Sequence, residues 1–352
     1  MALTYALEKQ VAISAVLRAC SLTSSVFNKL VKNETVTKND KSPVTVADYS
    51  AQAVISAILA RAFPDDPIVG EEDTKTLRGD ASAEVQLLKD RITSLANDAL
   101  REPLKLGDDK AWRIGPDTPV LTTEELLDAI DRGNHPGGPS GRLWTVDPID
   151  GTKGFLRGEQ YAVCLALIVD SEVKVGVIGC PNLPVDWNNP EDKGVLFVAV
   201  KGQGTEQRPF SGSGSSQLKL SASTPRRLLE SYESGHSSHG LSERVSKILG
   251  ITEAPLRLDS QVKYGALARG DGMSYMRMPT GVGYKEKIWD HASGNLLVTE
   301  AGGIVTDSRG EPLNFGLGRT LGENYGIIGC AKEDHSSILK AIAQAQQESA
   351  KA

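Results

Sequence analysis

Residues 143–155 constrain the fold of this 352-residue chain more than any other stretch. Leu143, Trp144 and Val146 form an apolar lead-in that runs directly into Asp147-Pro148-Ile149-Asp150-Gly151-Thr152. An apolar run that ends in turn formers predicts a buried strand emptying into a tight turn. Pro148 cannot donate a ladder hydrogen bond and Gly151 permits an unusual backbone conformation, so a sharp bend is expected here. Such a bend aims Asp147, the carbonyl of Ile149 and Asp150 at one small volume. Hard cations such as Mg²⁺ take oxygen ligands of this kind and keep positions open for water and phosphate. Thr152, just past the bend, places a hydroxyl where it can hold a water or cap a helix. Alone, D-P-x-D-G is more often an ordinary acidic turn. The rest of the chain decides against that.

The chain carries 39 Lys and Arg against 45 Asp and Glu, a formal net charge of −6, which argues against broad electrostatic binding to nucleic acid. An anionic substrate then needs a local positive site, and bound metal ions can make one. The length allows one large or two medium domains. No apolar run is read as long enough to span a bilayer. Cys20, Cys164, Cys180 and Cys330 are scattered without metal-ligand spacing and are expected to be reduced and buried. Residues 11–30 are Ser-rich, with Arg18 and Lys29 and no acid, as in a transit peptide. However, Leu3, Leu7, Val11, Leu17, Leu22 and Val26 fit a long amphipathic helix belonging to the fold, and that reading is preferred.

Helical patterns are expected at about 3–31 and 47–62, flanking a polar turn with Asn39, Asp40, Ser42 and Pro43. Residues 67–70 read as a short strand that ends at Glu71 and Glu72. The segment 80–133 is mainly helical, with Thr122 and Glu125 as a capping box and a stop near Gly133. Strands follow around 142–147, 161–169, 173–180 and 194–200. A Gly/Ser-rich stretch at 202–216 is the expected junction, dividing the chain into 1–205 and 206–352. Residues 290–301 read as a helix stopped by Gly302 and Gly303, with a strand at 304–307.

Four acidic clusters stand at borders between apolar-periodic segments, where α/β folds place their chemistry. They are Asp48, Glu71-Glu72, Asp147 with Asp150, and Asp290 in Trp-Asp-His-Ala-Ser-Gly. As a set, the Gly-Glu-Glu, Asp-Pro-Ile-Asp-Gly-Thr and Trp-Asp blocks resemble the Mg²⁺-dependent, lithium-sensitive phosphatases of inositol monophosphatase and fructose-1,6-bisphosphatase type. Within that superfamily the chain resembles the 3′(2′),5′-bisphosphate nucleotidases of the fungal salt-tolerance type. The residues that carry this are Asp-Gly-Thr-Lys-Gly-Phe-Leu-Arg-Gly-Glu-Gln at 150–160, Gly-His-Ser-Ser-His at 235–239 and Leu-Asp-Ser-Gln-Val-Lys-Tyr at 258–264. The long insertion between Glu72 and Asp147 fits the same group.

The resemblance implies an α/β fold, a layered αβαβα sandwich in two subdomains with the active site between them. The first subdomain, 1–205, would carry most metal ligands; the second, 206–352, would carry Asp290 and the nucleotide-binding residues. It implies that Glu71, Asp147, Asp150, Asp290 and the Ile149 carbonyl hold two or three Mg²⁺ ions, with Glu72 outside that set. It further implies that Thr152 and Asp48 orient and deprotonate the attacking water, and that a mobile loop at about 34–46 closes over the site. Thr152, His236, Ser260, Lys263, Arg277 and Asp290 would hold the nucleotide. His236 and His239 lack a cysteine or third histidine nearby, so zinc is not expected. His291 is read as orienting the loop or the carboxylate, and Trp144 and Trp289 as core. Ser293 stands where the family has Ala, a change that touches only local packing.

The implied reaction is hydrolysis of the 3′-phosphate of adenosine 3′,5′-bisphosphate, with 3′-phosphoadenylyl sulfate as a second substrate. It would serve sulfate assimilation and salt tolerance, with inhibition by Li⁺ and Na⁺. The expected partners are small nucleotides, with no nucleic acid and no membrane, and the protein is expected to be a monomer. The cytoplasm is the expected location, with the nucleus left open. One rival is an inositol polyphosphate 1-phosphatase or inositol monophosphatase, which shares every metal ligand. Another is a non-catalytic nucleotide-binding or salt-sensing protein, which would not need a complete hydrolytic set.

Overall fold

The computed structural model of the chain describes residues 4–32, 42–103, 114–212, 214–221, 225–233, 239–279, 281 and 283–351. The expected first helix is α1 (Ala6–Lys32). Its window from Ala6 to Lys29 is long and apolar enough to cross a membrane, a correction to the reading that no run had that length; 78% of it is buried inside the protein. Arg18 is fully buried on this helix and donates to the carbonyls of Ala99 at 2.7 Å and Glu102 at 2.5 Å. These carbonyls lie at a helix C-terminus, where acceptors lack intrahelical partners and a cation is favoured.

The next helix, α2 (Ser42–Ala62), begins five residues before the expected start, so Pro43 lies in its first turn rather than in a polar turn. Proline is tolerated there because the first-turn amides have no intrahelical acceptor. Of the loop expected at 34–46, residues 34–41 lie outside the described residues. The chain continues through β1 (Ile68–Gly70), α3 (Lys75–Gly79), α4 (Ala83–Arg101) and α5 (Thr123–Asp131). Thr122 and Glu125 form the expected capping box on α5.

A meander of strands follows: β2 (Arg142–Asp150), β3 (Ala162–Val169), β4 (Glu172–Asp186), β5 (Asn189–Val200), β6 (Thr205–Pro209) and β7 (Ser216–Leu218). A short helix, α6 (Thr152–Arg157), interrupts it after β2. These strands build a seven-stranded sheet in the order β1-β2-β3-β4-β5-β6-β7, with β1 and β2 parallel and the other pairs antiparallel. The sheet therefore runs past the expected junction at 205, and the Gly/Ser-rich stretch holds β6 and the start of the edge strand β7.

The remaining elements are β8 (Leu228–Ser231), α7 (His239–Leu249), β9 (Leu256–Leu258), α8 (Val262–Arg269), β10 (Ser274–Arg277), α9 (Ala292–Glu300), β11 (Gly303–Thr306), β12 (Ile327–Ala331) and α10 (Lys332–Lys351). Their strands form a second sheet ordered β11-β12-β10-β8-β9. Helices α1 and α2 cover one face of the first sheet, α8 and α9 lie between the sheets, and α7 and α10 cover the far face of the second. The layers are αβαβα, as expected.

Burial explains why β3 reads as an unbroken apolar run. Val163, Leu165 and Leu167 pack with α1 and α2, whereas Ala162, Cys164, Ala166 and Ile168 pack with α8 and α9. A strand covered on both faces needs apolar residues at every position. All four cysteines are buried and free.

Candidate active site

Strand β2 does not empty into a turn at Asp147 as expected; it continues to Asp150 through a register shift against β3. Asp147 pairs with Cys164 and Asp150 with Ala162, so β2 has one extra residue between these points. Pro148 sits inside this bulge, the place in a sheet where a residue without an N–H is tolerated. The turn itself comes at Gly151, with φ +92°, and α6 starts at Thr152. A Cβ on Gly151 would lie 3.0 Å from Ser260 Cβ, so this glycine serves both conformation and close approach.

One cavity of about 260 Å³ brings together Glu71, Asp147, Ile149, Asp150, Thr152, Ser260, Lys263, Arg277 and Asp290. These are all the expected site residues except Asp48 and His236. His236 lies outside the described residues. Asp48 is buried on α2 and is absent from the lining; Glu71 and Glu72 are close enough to raise its pKa, after burial as the main cause. Asp48 Oδ1 and Asp147 Oδ1 are buried with no hydrogen-bond partner among the described residues.

Each ligand candidate is held by its own element. Glu71 and Glu72 follow β1, and Gln52 on α2 grips the Glu72 backbone, donating to its carbonyl at 2.7 Å and accepting from its amide at 3.0 Å. A Cβ on Gly70 would strike that Gln52 side chain. Arg319, from the second half of the chain, donates to the carbonyls of Gly70 and, at 2.8 Å, Gly133. Asp150 Oδ2 accepts from the Gln261 amide at 2.6 Å. Gln261 is itself pinned: Nε2 donates to the Trp289 carbonyl at 2.7 Å, and Oε1 accepts from Ser293 Oγ at 3.1 Å and the Gly294 amide at 3.0 Å. Ser293 thus does more than fill space.

Burial pushes the carboxyls of Glu71, Asp147, Asp150 and Asp290 above the usual range, and for Glu71, Asp147 and Asp290 repulsion within the cluster adds to it. Lys263 draws Asp150 back in part. Glu72 is pushed up to about 7 by burial and then by Glu71. So many acids share one small volume only if they are protonated or hold cations. All their donors are hard oxygens, the set that suits Mg²⁺. The orphaned Asp147 oxygen and the place of the Ile149 carbonyl at the cavity fit that group as well. Thr152 Oγ1 donates to the Ile149 carbonyl at 3.4 Å, which sets the hydroxyl at the same point.

Two cations face this cluster. Lys263 is buried on α8, donates to the Leu258 carbonyl at 3.1 Å, and is lowered to about 8 by burial, partly offset by Asp150. Arg277 ends β10, and its Nε donates to Glu286 at 2.8 Å. Ser260, before α8, has φ +60°, the left-handed region that is rare for a side-chain-bearing residue. His239 lies 3.1 Å from the Ser231 carbonyl and, among the described residues, belongs to no group of three metal-type side chains. His291 Nε2 lies 3.1 Å from Glu286 Oε2. Trp144 and Trp289 are buried, as expected of core residues.

The sequence reading missed Tyr284, Asp259 and Glu286. Tyr284 and Asp259 line the cavity, and Arg157 on α6 holds Asp259 at 2.6 Å. Glu286 lies four positions before Asp290 in Lys-Glu-Lys-Ile-Trp-Asp but outside any helix, so that spacing carried no signal.

The model of the inositol monophosphatase family matches residues 5–349. A 3′(2′),5′-bisphosphate nucleotidase of Schizosaccharomyces pombe is 44% identical over 96% of this chain and 95% of its own length. One from Oryza sativa is 42% identical over 98% and 96%. Among solved structures, an inositol monophosphatase from Zymomonas mobilis covers 97% of this chain and 99% of its own, with a TM-score of 0.59 at 20% identity. That likeness supports the fold. Members of the matched family are metal-dependent.

Proposed function

Because the chain belongs to the inositol monophosphatase family, we propose that it is a 3′(2′),5′-bisphosphate nucleotidase that converts adenosine 3′,5′-bisphosphate to AMP and phosphate. The observation that carries this reading is the single cavity in which Glu71, Asp147, Asp150, Asp290 and Ile149 meet two cations. The acids suit metal ions, and the cations suit a substrate with a second phosphate.

Glu71, Asp147, Asp150, Asp290 and the Ile149 carbonyl would hold Mg²⁺. When bound, Mg²⁺ supplies positive charge against the phosphate and lowers the pKa of water. The chain's own residues do the rest. Thr152 orients the attacking water, and Asp48 is the nearby carboxylate assigned to take its proton. A water oxygen forms a bond to phosphorus, the bond to the 3′-oxygen breaks, and that oxygen leaves with a proton. Lys263 and Arg277 hold the phosphates by charge-assisted hydrogen bonds, with Ser260 and His236 completing the nucleotide contacts.

The same reading extends to 3′-phosphoadenylyl sulfate, which presents the same 3′-phosphate, and to a role in sulfate assimilation and salt tolerance. It includes inhibition by Li⁺ and Na⁺ at a cation site, and a cytoplasmic monomer.

Phosphate release should be measured with Mg²⁺ from adenosine 3′,5′-bisphosphate, AMP and inositol 1-phosphate side by side. The bisphosphate should be hydrolysed, AMP spared, and Asp147→Asn should lose roughly a thousandfold or more of the rate. Preference for the inositol ester would move the assignment to that rival. No release from any of the three would favour the binding protein.

A further inference from the structure

Behind Arg277 stands a carboxylate that the reaction above leaves unused. Glu286 is 4% exposed and is absent from the lining of the catalytic cavity. Its Oε1 accepts from Arg277 Nε at 2.8 Å and from Asn324 Nδ2 at 3.2 Å. Its Oε2 lies 3.1 Å from His291 Nε2, and His291 Nδ1 lies 2.9 Å from the Tyr264 hydroxyl. Burial alone would raise Glu286, but His291 and Arg277 outweigh it and hold the acid at about 2, fully ionised. Partners from separate elements therefore fix both oxygens of a permanent anion.

A guanidinium sits on a long side chain with much rotamer freedom. An anion locked behind its Nε removes that freedom and turns the fork in one direction. Arg277 lines the cavity while Glu286 lies behind it, so that direction is the substrate side. We propose that Glu286 is a positioning residue: it aims Arg277 at the second, non-reacting phosphate and so sets the preference for a bisphosphate. This rests on the proposed function, in which Arg277 binds that phosphate. Glu286, Asp290 and His291 also bring ligand atoms within 4.8 Å of one another, as a metal site would. The cation paired with Glu286 is already Arg277, and a divalent ion added there would be repelled by that guanidinium.

The test compares kcat/KM for adenosine 3′,5′-bisphosphate and for 3′-AMP, which lacks only the 5′-phosphate. It uses the wild type, E286Q, E286D, R277Q and the R277Q/E286Q double variant, each checked for folding by circular dichroism. The wild type should favour the bisphosphate. E286Q should lower that preference about ten- to a hundredfold, the range for a charge-assisted contact, chiefly through KM for the bisphosphate. E286D, which keeps the charge but retracts it, should lower it less, and it decides the question if E286Q does not fold. In the R277Q background, E286Q should leave the preference where R277Q alone puts it. Equal losses on both substrates, or additive effects in the double variant, would overturn the proposal and leave Glu286 a structural residue. A wild type without preference, or R277Q with the preference intact, would instead refute the assignment of Arg277, and the two failures are thereby distinguished.

Discussion

Stripping divalent cations and raising the pH should destabilise this protein, and Mg²⁺ should weaken the effect. Glu72 is partly buried and its carboxyl is pushed from 4.5 to about 7 by burial and by Glu71. A carboxyl raised in the folded state contributes stability that is complete below its unfolded value and lost as pH rises through the folded one. For Glu72 that window is roughly pH 4.5 to 7, and at about 1.4 kcal/mol per unit the loss is at most about 3.5 kcal/mol. Partial exposure of the group screens it, so about half of that is a fair expectation.

Asp48, Glu71, Asp147 and Asp290 are raised by burial and change stability in the same direction. Glu286 is lowered to about 2, so its contribution is lost only below about pH 4.5. Lys263 is lowered to about 8, and its cost is constant below that pH. His335, lowered by burial, opposes the trend as a single partly exposed group. The assay is thermal unfolding in a chelator between pH 5.5 and 8, using buffers of matched ionic strength. The midpoint should fall by several degrees, at about 2 °C per kcal/mol for a chain of this size. Glu72→Gln should flatten part of that slope, and saturating Mg²⁺ should reduce the rest by holding the ligand acids ionised. A chelated protein whose midpoint is flat or rises over that range would refute the reasoning, as would a slope that Mg²⁺ leaves unchanged.

Two further changes test the frame around the acids. Gly151→Ala puts a side chain at φ +92° and a Cβ 3.0 Å from Ser260, so urea unfolding should show a loss of about 1–3 kcal/mol and phosphate release should fall. Ser293→Ala removes one of two donors to Gln261 Oε1 while the Gly294 amide remains, so the loss should be near 1 kcal/mol by the same measurement. An unchanged Ser293→Ala midpoint would show that the Gln261 brace does not depend on that hydroxyl.

Local patterns that act within one element were open to reading from the chain alone. The apolar run of β3, the Thr122–Glu125 capping box and the acids at the ends of apolar segments all act through neighbours close in sequence. The family resemblance that the acidic blocks carry also implied which side chains share a cavity. Other features depend on contacts that no spacing encodes. Asp150 is held by the amide of Gln261, and any residue but proline carries an amide. The bulge at Pro148 needed β3 as a partner to define a register. Arg319 reaches the end of β1 from nearly 250 positions away, and Arg277 owes its direction to Glu286, which pattern reading passed over. The sequence by itself determined the donor types and their places along each strand and helix, because those follow from local periodicity and turn chemistry. Tertiary structure alone decided which acids are desolvated and which side chains are aimed, because burial and orientation come from elements packed against each other across the fold.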